Sequence, residues 1–228
     1  MEKLVYILKA GQVLTVEQFR ERLLGEVVTG LRSLGGTRIT VNVADLNEQI
    51  ESRSPARLIG PWQDISAVVS LWLDSLDARG PVESLLGETA ESLHGYLVTE
   101  SVPQGFEPEW EGGARRPGVT QFGMNGKPDN VSLEDFYHNW QVTHSQQSFD
   151  LHPLRWSYVR NAVARPLTPG APTHMAIVSE HFHTLEDFVE DERYFGSEEA
   201  VNTMIGHLPG FCDLGSMVSL AMSEYYFE

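Results

Sequence analysis

The chain has 228 residues, 41% of them hydrophobic, which is enough for one large domain or two small ones with a real core. Against 16 basic side chains stand 32 acidic ones, a formal net charge of -16. Phosphate backbones and anionic lipid repel such a chain, so neither nucleic acid nor a membrane surface is an expected partner.

Cys212 is the single cysteine, which excludes an intrachain disulfide and a thiolate metal cluster. The opening "MEKLVYILKAG" lacks the long apolar run and small-residue cleavage site of a secretory signal. The longest apolar run, "ISAVVSLWL", is too short to span a bilayer. The expected location is cytoplasmic. In chain order, "KLVYILKAG" reads as a strand and turn that lead to "TVEQ", Thr15 to Gln18, a capping-box helix start. The helix "VEQFRERLLGEVVTGLRSL" follows, then the strands "TRITVNVADL" and "DISAVVSLWL". A second helix start, "DSLD", and the strand "HGYLVTESV" complete the first half.

The Gly-, Pro- and charge-rich "PQGFEPEWEGGARRPG" reads as a linker. Beyond it the order recurs. The strand "GVTQFGMNGK" precedes the helix start "SLED" at Ser132. The strands "LRWSYVRNAVARPL" and "THMAIVSEHF" precede the start "TLED" at Thr184, and "GSMVSLAMSEYYF" closes the chain. The pattern is β-α-β-β-α-β, twice. One such unit is a ferredoxin-like sheet with helices on one face and an uncovered apolar face on the other. Two units packed sheet to sheet bury that face within a single chain. The expected division is residues 1–102 for a first lobe acting as scaffold, 103–117 for the linker and 118–228 for a second lobe carrying the pocket.

The helix "SLEDFYHNWQVTH" carries Phe, Trp four residues on and His four after that. It resembles the pattern of the EthD-like family, and "LWLDSLDA" and "EHFHTLED" resemble that family's strand-to-helix junction. The resemblance covers nearly all of the second half and, with weaker motifs, the first. It implies the α+β class and the dimeric α+β barrel superfamily, here as tandem ferredoxin-like repeats fused in one chain. It also implies a choice of activities: cofactor-free monooxygenases, polyketide cyclases, isomerases, haem-dependent enzymes, and the accessory role in ether oxidation that gave the family its name. Fold does not choose among them.

Comparison of the halves narrows the site. Aligning Phe19 with Phe136 puts Trp140 on Leu23 and His144 on Val27. The first helix keeps an apolar stripe through Phe19, Leu23, Val27 and Leu31, as a structural helix does. In the second, Leu133, Phe136, Trp140, Thr143, His144 and Gln147 share an arc of roughly 100°, with His138 and Ser145 on the opposite, solvent side. Buried polar groups need partners, so a ligand pocket below an aromatic wall is expected here. On "LRWSYVRNAV", Trp156, Tyr158 and Arg160 alternate with Ser157, Val159 and Asn161. Parity leaves open which set faces the helices. On "THMAIVSEHF", His174, Ala176, Val178 and Glu180 alternate with Met175, Ile177, Ser179 and His181. The H-x-H pair His181 and His183 ends a strand beside Thr184, where packing or exposure is expected rather than a metal.

The expected activity is cofactor-independent. His144 is the candidate acid/base, because imidazole titrates near neutrality. Tyr158 or Arg160 would polarise a substrate oxygen, and Phe136, Trp140, Thr143 and Gln147 would hold a small apolar, aromatic or polyketide-like molecule. Proton transfer of this kind suits a lyase, dehydratase, isomerase or cyclase. Cofactor-free oxygenation, an accessory binding role and haem dependence are the alternatives. No cofactor or metal is expected, and homodimerisation is plausible.

Overall fold

A computed structural model describes residues 1–50, 53 and 58–228. The first half runs β1 (Glu2–Lys9), α1 (Val16–Arg22), α2 (Val28–Ser33), β2 (Thr37–Val43), α3 (Asn47–Ile50), β3 (Ala67–Leu73), α4 (Arg79–Gly87) and β4 (Ser92–Gln104). The second runs β5 (Val119–Gly126), α5 (Leu133–Tyr137), α6 (Ser145–Leu151), β6 (Arg155–Pro166), β7 (Ala176–Phe182), α7 (Leu185–Val189), α8 (Asp191–Tyr194), α9 (Glu198–His207) and β8 (Asp213–Phe227).

The helix starts follow local chemistry. Thr15 and Thr184 cap α1 and α7 with the reciprocal bonds of a capping box, to Gln18 and Asp187 respectively. Ser132 caps α5 by accepting from the Asp135 backbone N–H. At "DSLD", Ser75 caps a 3₁₀ turn, Leu76–Ala78, that runs on into α4.

The strands close into one barrel in the order β1-β3-β2-β8-β5-β7-β6-β4, and every pairing is antiparallel. Each half contributes a four-stranded ferredoxin-like sheet, and two seams join them, β2 to β8 and β4 to β6. This is the α+β tandem arrangement anticipated from the repeat, with the two sheets meeting edge to edge as well as face to face. Among the described residues, closure leaves no free edge on the eight strands. β8 serves both halves: its first part pairs with β5 and its last residues, Ser223 to Phe227, pair with β2.

Apolar side chains fall on the two sides of this barrel. Inward-facing Val5, Val68, Val98, Phe122, Ile177 and Leu220 fill its middle. Outside, the first-half helices seal their sheet with a continuous core that includes Leu4, Tyr6, Leu8, Phe19, Leu23, Val27 and Leu31. Among the described residues no helix is long and apolar enough to cross a membrane.

The segment read as a linker does more than connect. Gly112 is exposed, but Arg116 is only 2% exposed and enters the end of the barrel. Its guanidinium lies 3.6 Å from the Phe106 ring centroid and 4.5 Å from that of Trp156. Gly118 ends this segment at φ +94, and a Cβ there would sit 2.0 Å from the Phe182 carbonyl oxygen, so only glycine fits.

Candidate functional site

The long helix of each half is not α-helical throughout. A π-helical turn, Leu23–Val27, joins α1 to α2, and another, His138–His144, joins α5 to α6. A π-turn adds one residue, so the stripe beyond it advances by one position. In the second half the buried positions become Phe136, Trp140, His144, Ser145, Ser148 and Leu151.

This corrects the helical-wheel expectation at several places. Thr143 is exposed and does not line the cavity described below, and Leu133 is 53% exposed. Ser145, expected in solvent, is buried. Gln147 is half-buried, lies outside the cavity lining, and its Oε1 has no hydrogen-bond partner.

Between this helix and the outer face of β5–β8 lies a cavity of about 370 Å³. The helix contributes Trp140 and His144, the sheet Gln121, Tyr158, Val178 and Glu180, and the α9 side Met204, Leu208 and Phe211. Phe136 lies beneath, 5.7 Å from Trp140 between ring centroids, as a core residue that supports the wall. The cavity is therefore mostly apolar with a few polar groups at one end, as small-molecule sites are.

Parity on β6 is now resolved, with one change. Tyr158 lines the helix-side cavity, whereas Ser157, Val159 and Asn161 face the barrel interior. A register shift between Arg155 and Ser157 turns Trp156 inward with them. Trp156 stacks on His183 at 3.9 Å and packs against Arg116. The same bulge brings Arg155 to the helix side, where its Nη1 donates to Glu180 at 2.6 Å and its Nη2 to the Ser148 hydroxyl at 3.1 Å.

Arg160 also faces the helix, but it is committed to structure. It donates to the Gln141 carbonyl at 2.9 Å and to the Ser145 hydroxyl at 2.5 Å. Ser145 donates in turn to the Trp140 carbonyl at 2.8 Å. Arg160 thus holds the π-turn and is absent from this cavity's lining, so its donors are directed at the helix rather than into the cavity as the sequence suggested. His181 is fixed as well: Nε2 donates to the Pro117 carbonyl at 2.7 Å and Nδ1 accepts from Thr120 at 2.7 Å. No group of three or more His, Cys, Asp or Glu among the described residues could hold a metal ion.

His144 differs from these. It is 7% exposed, its Nδ1 has no hydrogen-bond partner, and its ring lies 4.6 Å from that of Phe211. Burial pushes its pKa down to about 4, only partly offset by the Glu180 carboxylate. The imidazole is therefore neutral at pH 7 and does not titrate near neutrality, the ground on which the sequence made it the candidate acid/base. Burial pushes the Tyr158 phenol up to about 12, so it stays protonated beside Ser145. Arg155 holds Glu180 ionised by keeping its carboxyl below the usual range despite burial. His152 also lines the cavity, and its Nδ1 donates to the Tyr194 carbonyl at 3.2 Å.

These shifts carry a pH dependence. His144 and His181 both fall from 6.5 to about 4 on folding. Their stabilisation is complete above the unfolded value and is lost as pH drops from about 6.5 towards 4, on the order of 3 kcal/mol for each. Urea midpoints should fall steeply across that window, and less steeply in His181→Gln. Equal slopes in the two proteins would show that the His181 imidazole is not shifted.

No protein-family model matches the chain. No curated protein matches it either. Solved structures do. An anthrone oxidase-like protein superposes with a TM-score of 0.60 at 10% identity, covering 99% of this chain and 92% of that one. A putative monooxygenase from Lactobacillus acidophilus gives 0.56 at 8% identity, covering 98% and 93%. A chlorite dismutase from Candidatus Nitrospira defluvii gives 0.50 at 11% identity, covering 98% and 90%. At these identities the likeness is one of fold, and the fold is that of the dimeric α+β barrel proteins.

Proposed function

We propose that the chain is a cofactor-independent enzyme that moves a proton on a small, uncharged aromatic or polyketide-like molecule. The observation that carries this reading is His144, a buried neutral imidazole that lines the polar end of an apolar cavity. Trp140 and Phe211 would flank the ring of the ligand. His144 would take a proton from an acidic C–H or O–H, and the Glu180 carboxylate would steady the imidazolium. The Tyr158 hydroxyl would turn from Ser145 to the oxygen on which charge develops. Return of the proton to another atom completes an isomerisation, cyclisation or elimination.

An uncharged substrate is favoured over a carboxylate because Arg155 and Arg160, the nearby cations, are already engaged. Oxygenation of an electron-rich phenol would begin with the same proton removal. The names of two structural neighbours, an anthrone oxidase-like protein and a putative monooxygenase, make it the next reading. The EthD-like assignment remains a resemblance of the helix motif. A haem, if bound by a cavity histidine, would supply redox chemistry, and a Soret band in protein purified with haem supplied would support that reading.

The test is ligand-induced stabilisation across phenols, enolisable ketones, lactones and aromatic acids, followed by calorimetry on the best binder. One site per chain is expected, since the matching space in the first half is filled by Leu23, Val27 and their neighbours. Two equivalent sites per chain would contradict it.

A further inference from the structure

The end of the barrel at which β1 finishes carries a second cavity, of about 460 Å³, that shares only Met124 with the first. Its walls differ in kind. Trp140, Phe195 and Phe211 make the first cavity largely aromatic, whereas Ile7, Ile65, Pro172 and Val218, with Tyr96, make this one largely aliphatic. A space of this size, apolar with a few polar groups, takes a bicyclic molecule rather than a solvent-sized one.

Each half of the chain sends one histidine to this cavity. His94 stands on β4 opposite Ile7 of β1. His174 lies in the turn before β7, and that turn is fixed across the barrel end. The Tyr96 hydroxyl and the His174 backbone N–H both donate to the Pro172 carbonyl, each at 3.0 Å. Nδ1 of both rings is sealed away from any ligand. Nε2 makes no hydrogen bond to a described residue either, but it keeps accessible surface. His174 is only 6% exposed, so that surface belongs to the cavity it lines.

Charge narrows the occupant. At the rim Lys9 Nζ donates to Asp64 at 2.6 Å, so the one ammonium and the one carboxylate of the lining engage each other. Burial, and then repulsion from His94, lowers the His174 pKa and keeps that ring neutral. A charged ligand would therefore lie among apolar walls without a counterpart. A neutral imidazole offers at Nε2 either an N–H or a lone pair. A hydroxyl suits both, because it gives or takes whichever bond each ring leaves open.

We propose that this end of the barrel is a second small-molecule site, for a compact, saturated, uncharged alcohol whose hydroxyl is held by His94 and His174. Proton–nitrogen correlation spectra of the histidine rings in the full chain test this, with borneol as the probe. Camphor, bornylamine, adamantane carboxylate and thymol are the comparators. Borneol should move the His94 and His174 signals severalfold further than any comparator at equal concentration. His94→Phe and His174→Phe each remove one signal and so identify it. Should a variant not fold, nuclear Overhauser contacts of His94 with Ile7 and of His174 with Tyr96 identify the signals instead. Still signals at both rings would overturn the site, and movement of the His144 signal alone would place borneol in the first cavity and overturn it too. Equal shifts with camphor, which has no hydroxyl, would overturn the role of the hydroxyl. Larger shifts with the amine, the carboxylate or the phenol would overturn the ligand class. The acid/base reading of His144 stands or falls separately, since none of these signals reports on it.

Discussion

His144→Ala should lower turnover about 10²- to 10⁴-fold, the usual worth of general acid/base catalysis, while the fold stays nearly intact. The geometry explains why these effects separate. Nδ1 of His144 has no hydrogen-bond partner, so truncation orphans no group on that side. The ring borders an existing cavity, so its removal enlarges that space rather than opening a sealed core. Lost contact with Phe211 should cost about 1–2 kcal/mol, or roughly 2–8 °C in melting temperature for a chain of this size. Melting and turnover measured on the same preparation distinguish the roles. A large drop in melting temperature with normal turnover per folded molecule would end the catalytic reading.

Arg155→Ala should have the largest effect on stability. The Arg155 side chain is 0% exposed and that of Glu180 10%. Removing the guanidinium leaves a buried carboxylate alone among apolar walls, which typically costs about 3–5 kcal/mol. The melting temperature should fall by about 10 °C. In the intact protein Glu180 has a depressed pKa, so the pair contributes fully above the unfolded carboxyl value and is lost as pH falls through the folded one. Without Arg155, burial, the largest influence on Glu180, is opposed only by His152 and His144 and pushes its pKa upward, so the variant should lose less stability on mild acidification than the parent. Arg155→Met/Glu180→Leu should recover most of the loss, because an apolar pair of similar volume can replace a buried ion pair. Equal denaturant midpoints for Arg155→Ala and parent would show that the pair contributes nothing.

Helix starts and strand order could be read from the sequence because capping and alternation are local. The side chains of Thr15, Ser132 and Thr184 satisfy backbone groups within their own turn. The match between the halves located Trp140 and His144 at the cavity. What failed depended on one added residue. The π-turn moved Thr143 and Gln147 off the stripe and put Ser145 and Ser148 on it, and the β6 bulge exchanged Trp156 for Arg155. Neither device has a residue-level mark, since both are imposed by tertiary packing. Arg116 was missed for another reason: a cation in a Gly- and Pro-rich stretch reads as solvated. Its burial depends on Glu224, 108 positions away. Glu180 was placed on a face with Val178, but its partner could not be found without the bulge.

The π-turn in both helices bears on how such a site arises. The first half points Val27, Val28 and Leu31 at its sheet in the way the second points His144, Ser145 and Ser148. The unusual winding is therefore common to both halves and does not depend on the polar side chains. A barrel made of two identical chains would have to carry any change at both helices, and each polar substitution would weaken two cores at once. Fusion of the repeats removes that coupling. One copy can remain the aliphatic keel while the other is free to change, and the difference between these stripes comes down to three side chains that a shared bend aims inward.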